Sequence, residues 1–180
     1  MKCLSRVSLA VFDVAGSVLR FFCRIVVIGF VLFFAWTGEA AEGRIHPPPA
    51  QRPVFVRDGV TVKGQAGHRQ RLWLEIARTP DELAFGLMKL KELPGTDGML
   101  FVMNQPQPLH FWMKDTLMPL DILFIDVEGT IIRIAAEAEP GSESYISSFR
   151  PTKAVLEIQG GLAERWDIKV GDKLLYKDFQ

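Results

Sequence analysis

The sequence predicts a small, mainly β domain of the α+β class: an antiparallel barrel or strongly curled sheet with one short helix and one helical turn. Three observations predict it. Short apolar runs recur with the two-residue alternation of half-buried strands. Turn pairs (Pro94-Gly95, Asp97-Gly98, Glu128-Gly129, Gly160-Gly161) separate them. One stretch only, after Thr79, combines helical spacing with a helix-start signature. The chain of 180 residues has room for one such domain and a leader. It is 48% hydrophobic and 23% charged, too apolar for an intrinsically disordered chain. Its 21 basic and 21 acidic residues give no electrostatic reason to expect a nucleic-acid binder.

Residues 1–40 read as an export signal. Lys2, Arg6, Arg20 and Arg24 precede the apolar run Ile25 to Trp36, and small residues around Ala40 offer a cleavage point. Twelve helical residues span about 18 Å, short of a hydrocarbon core of roughly 30 Å. A cleavable signal peptide and a periplasmic or secreted domain are therefore expected, with an uncleaved membrane anchor as the alternative. Cys3 and Cys23 both lie in the leader. The mature chain then has neither a disulfide nor a thiolate ligand.

Residues 41–53, with Pro47, Pro48, Pro49 and Pro53, read as an extended linker, and 54–180 as one β-rich domain. Val54 to Val56 and Val60 to Val62 flank Arg57-Asp58-Gly59 as a short hairpin. Leu72, Leu74 and Ile76 alternate with less apolar neighbours as a strand. Thr79-Pro80-Asp81-Glu82 is a capping box with proline at the first helical position, and Leu83, Leu87 and Leu90 carry the helix to about Lys89. Met99 to Met103 is a strand, Pro106 and Pro108 force a turn, and Leu109 to Met113 is the next strand. Leu120 to Val127 has the apolar density of a strand covered on both faces, and Thr130 to Ala136 returns beside it. Residues 139–152 form a long loop. Ala154 to Ile158 is a strand, Leu162 to Trp166 a helical turn, and Lys173 to Tyr176 the closing strand.

The block Phe111 to Asp121 packs an indole, an ammonium, two carboxylates, a hydroxyl and two thioethers into eleven residues. Such groups at a strand end make a binding rim, with Trp112 as its wall, Lys114, Asp115 and Thr116 as polar groups and Asp121 as its anchor. The same aspartates also suit turns, where they satisfy backbone donors. The ligand expected is a small polar molecule or an envelope protein, with no catalysis and no cofactor. Five of the six methionines fall within 31 residues, with His110 among them. Thioethers select Cu(I), and a mature chain lacking cysteine would have to use Met and His for it, so copper binding through His110, Met113, Met99 and Met103 is the alternative, although core filling is the commoner task of methionine. A carboxylate-dependent hydrolase using Asp115 or Asp121 is a second alternative, for which a domain this small has little cleft. Glu157 sits within an apolar strand. Pointing inward, it needs a partner such as Lys114 or Arg150.

Gly86-Leu87-Met88, Gly98-Met99-Leu100-Phe101, Phe111-Trp112-Met113-Lys114, Pro119-Leu120-Asp121, Phe124-Ile125-Asp126 and Val155-Leu156-Glu157 occur in this order. Over roughly residues 70–177 the series closely resembles the bacterial and archaeal family called domain of unknown function 192. The resemblance implies a small, mainly β domain that is often exported, and no established activity. Leu83, Phe85 and Leu90 stand where the family often has arginines, and Asp115 where it has asparagine. An anion site built on those arginines is not expected here.

Overall fold

The computed structural model describes residues 51–179; the leader, its proposed cleavage point and most of the proline linker lie outside them. The elements run β1 (Val56–Lys63), β2 (Arg69–Ala77), α1 (Pro80–Phe85), β3 (Gly98–Gln107), β4 (His110–Phe111), β5 (Leu120–Ile125), β6 (Ile131–Ala138), β7 (Ile146–Ser147), β8 (Thr152–Gln159), α2 (Leu162–Arg165) and β9 (Lys173–Leu175), with a 3-10 turn at Lys177–Phe179. Seven strands form one sheet in the order β6-β5-β8-β3-β2-β1-β9, and β4 pairs with β7 apart from it. The sheet curls into a half-barrel, as the turn-punctuated strands predict. It curls so far that its two edges meet at one corner. The Ile131 and Leu174 amides donate to the Asp172 and Gly129 carbonyls at 2.8 and 2.7 Å.

Four local expectations are corrected. Val54 to Val62 is not a hairpin: β1 runs unbroken through Asp58-Gly59, and the reversal falls at Gly64–His68, where Lys63 faces Arg69. The sheet is not wholly antiparallel, because β2 and β3 are parallel. Parallel neighbours need a crossover, and the segment carrying α1 supplies it. The helix ends at Phe85 instead of near Lys89. Gly86 takes φ 52°, and a Cβ there would lie 3.1 Å from the Phe101 ring. Strand β3 continues through Pro106, so β4 is reduced to two residues, and its partner β7 arises within the expected loop 139–152.

The start of α1 follows the sequence closely. Thr79 Oγ1 accepts from the Glu82 amide at 3.3 Å, and the Glu82 carboxylate accepts from the Thr79 and Arg78 amides at 2.9 and 2.8 Å. Thr79→Ala is expected to lower stability by about 1 kcal/mol. In urea unfolding this reads as a lower midpoint at an unchanged m-value.

The curled sheet buries an apolar cluster on each face. Leu72, Leu74, Leu100, Leu123, Leu156 and Ile158 fill one, against α2 and Leu174. Met99, Phe101, Ile122, Phe124 and Val155 belong to the other, which the chain following α1 and the segment around β4 cover. The second cover is incomplete, and the candidate site lies in the gap.

Candidate functional site

Strand register sets one lateral row of residues across the sheet: Arg57, Glu75, Met99, Glu157, Ile122. Residues side by side on paired strands face the same way, so two carboxyls share this face, on either side of Met99. Their surroundings differ. Glu75, 1% exposed, is ion-paired with Arg52 and, at 3.4 Å, with Arg57. Glu157 is 5% exposed, and none of the ion pairs among the described residues includes it. Burial alone pushes its carboxyl up to about 8. The partners expected for it are engaged elsewhere. Lys114 Nζ lies 3.5 Å from Glu143 Oε1, and Arg150 reaches the Ile132 carbonyl.

Above Glu157 opens a hollow of about 460 Å³. Phe101 and Met103 of β3 and Glu157 of β8 belong to its sheet side. Leu83 to Met88 form one wall and Leu109 to Trp112 the other, while the partly exposed Lys114 and the exposed Asp115 stand at the mouth beside the buried Thr116. The mouth is a turn held by main-chain bonds. The Thr116 amide donates to the Met113 carbonyl at 3.0 Å, the Met113 amide to the Ser142 carbonyl at 2.9 Å, and the Lys89 amide to the Asp115 carbonyl at 2.8 Å. Asp115 adopts φ 57°, a conformation that aspartate tolerates better than most residues. It serves the turn through its carbonyl, which leaves the carboxylate at the surface. The Lys114 ammonium stands 5.4 Å from the Trp112 ring centroid. Trp112 stacks on Tyr145 at 6.1 Å and 11°.

Of the rim read from the sequence, Trp112, Lys114, Asp115 and Thr116 line this hollow together. Asp121 does not. Ile122 shares the row of Glu157, so the preceding residue points to the opposite face. There the Asp121 carboxylate, fully buried, accepts from the amides of Glu137 (2.8 Å), Gly161 (3.1 Å) and Ala163 (2.8 Å). It ties the bulge in β6 to the start of α2 and offers nothing to a ligand or to carboxylate-pair chemistry. Met99 and Met113 are buried in the apolar cluster. Of the four soft ligands considered for copper, only Met103 and His110 line the hollow. Among the described residues no group of three or more His, Cys, Asp or Glu is placed to hold a metal.

The wall formed by Leu83 to Met88 is not among the site residues expected from the sequence. Its available signal was the Gly86-Leu87-Met88 block, in which the glycine's positive φ brings the chain against Phe101. Tyr145, read as loop, forms the outer layer on Trp112.

The family model for domain of unknown function 192 (DUF192), described as an uncharacterized ACR, matches residues 61–176. The chain belongs to this family. Among solved structures this DUF192 chain is similar to a protein of unknown function from Novosphingobium aromaticivorans DSM 12444, with 42% identity and a TM-score of 0.64, covering 71% of this chain and 94% of that one. It is also similar to a Sinorhizobium meliloti 1021 protein provisionally described as a transcription regulator, with 34% identity, a TM-score of 0.67, and coverage of 69% and 97%. No curated protein matches.

Proposed function

We propose that this DUF192 protein is an exported, non-catalytic binding domain whose hollow captures a small molecule with an apolar body and a polar head. One observation carries the reading: a hollow of about 460 Å³, walled by Leu, Phe and Met side chains, on which a few polar groups converge. Ligand sites typically have this composition and a volume of about 300–1,000 Å³. Glu157 and Thr116 supply buried polar groups, and Lys114 and Asp115 supply polar groups at the mouth. The charged, apolar and small-residue zones of residues 1–40 support export. The balanced charge gives no support to carrying over the description of the Sinorhizobium relative, since DNA binding rests on clustered Lys and Arg.

The test is a ligand-observed NMR screen of small amphiphiles against the wild type and Ala84→Phe. Ala84 lines the hollow, and the added ring would fill space there. Compounds that bind the wild type are expected to lose at least tenfold in affinity for the variant while its melting temperature holds. Hits that bind both equally would place the binding elsewhere and refute this reading. For export, N-terminal sequencing of the protein from the cell envelope should find Ala41 first. A chain that retains Met1 and sediments with membranes would favour the anchored alternative.

A further inference from the structure

We infer that the hollow takes the ammonium group of an alkylamine, with the hydrocarbon body against the apolar walls and the charge set on the Glu157 carboxylate. This rests on the reading of the hollow as a binding site. Glu157 is 95% removed from solvent yet lines the hollow, on a central strand of the sheet beneath it. Its row neighbours on β3 and β5, Met99 and Ile122, offer it no polar atom. Ionised in that setting, the carboxyl would need an opposite charge close by, and the cations on the elements around it have other partners. Lys153 on the same strand donates to the Met103 and Asn104 carbonyls at 2.7 and 3.1 Å. Arg52 and Arg57 hold Glu75 on β2. Arg133 on β6 lies over the Phe124 and Phe149 rings. Lys114 is matched by Glu143 and the Trp112 face. An entering ammonium would supply the counter-charge that lets the carboxyl ionise.

The remaining features of the site agree with this charge. Lys114 is ion-paired with Glu143, and the exposed Asp115 carboxylate belongs to the lining, a further negative group for an entering cation. His110, the other titratable group there, is on the wall of the hollow. Phe101 and Phe111, edge to face at 5.3 Å, add aromatic surface that favours an entering cation. A neutral head would gain an ordinary hydrogen bond from Glu157, weaker than a charge-assisted one. Since Glu157 holds its proton to about pH 8 when the hollow is empty, binding an ammonium expels that proton. Affinity should rise with pH up to about 8, then level off until the amine itself deprotonates near 10.

The experiment is calorimetric titration of the purified protein with hexylamine, hexan-1-ol, hexanoate and Nα-acetyl-lysine-N-methylamide. In buffers of different ionisation enthalpy, hexylamine is expected to bind at least tenfold more tightly than hexanol or hexanoate, with proton release at pH 6.5. Glu157→Gln should erase that preference and the proton release while hexanol binding persists, which shows the variant's hollow intact. Competition by the lysine amide would name a protein side chain as the source of the ammonium, and its failure beside hexylamine a free amine. Hexanol or hexanoate binding as tightly as hexylamine would overturn the ammonium inference and leave the binding reading standing. No binding by any of the four would overturn both.

Discussion

Glu157→Gln is expected to become progressively more stable than the wild type as pH rises from about 4.5 to 8, the relative gain reaching on the order of 3 kcal/mol. The sign follows from where the proton resides. Below about pH 4.5, the ordinary value of the group, both the folded and the unfolded chain carry it, and Glu157 adds no pH-dependent penalty. Between about 4.5 and 8 the unfolded chain gives the proton up and the folded chain keeps it, so folding is increasingly penalised. Above 8 the penalty is constant. The full displacement corresponds to a ceiling of about 5 kcal/mol, which relaxation and water entry lower. Other carboxylates act in the opposite sense. Asp58 is held low by Lys177 and then Tyr176, and Asp178 chiefly by Arg78, so their stabilisation is lost as pH falls through the acid range. The difference between variant and wild type cancels those contributions. Paired urea titrations at pH 4, 6 and 8.5 measure it, and a difference that stays level across this range would mean that Glu157 is solvated or paired.

Asp121→Ala is expected to remove about 3 kcal/mol, because the amides of Glu137, Gly161 and Ala163, the last of them buried, would lose their common acceptor. The melting temperature should fall by roughly 10 °C or more. Asp115→Asn, which keeps a side chain tolerant of the left-handed backbone at φ 57°, should shift stability by less than about 1 kcal/mol. The contrast separates two aspartates six positions apart that look alike in the sequence. Equal losses from the two variants would return Asp115 to a structural role in its turn.

Those two aspartates also show why the sequence was legible in part. The curled, mainly β architecture followed from alternation and turn pairs, and α1 began where its capping box placed it. Local chemistry decides both features. Its end was not local, since Gly86 turns to pack against Phe101 of β3. Nor was the parallel β2–β3 pair, which exists only because the crossover returns the chain to the same edge of the sheet. In β5 and β8 nearly every residue is buried, so no alternation reveals which side chains share a face. The cross-strand register decided it, sending Asp121 to the α2 side and Glu157 into the hollow. That Trp112, Lys114 and Asp115 reach solvent was legible because polar groups clustered at a strand end tend to face outward; Thr116, next in the chain, is buried. The wall after α1 was not legible, because only the tertiary fold brings it opposite that rim.

Carbon-13 NMR of the Glu157 side-chain carboxyl, assigned by comparison with Glu157→Gln, tests the site most directly. A midpoint near pH 8 is expected, moving toward the ordinary range when hexylamine saturates the hollow. A midpoint between about 4 and 5 in the free protein would show a hydrated or paired carboxylate, and a carboxyl held neutral until an ammonium enters would be ruled out.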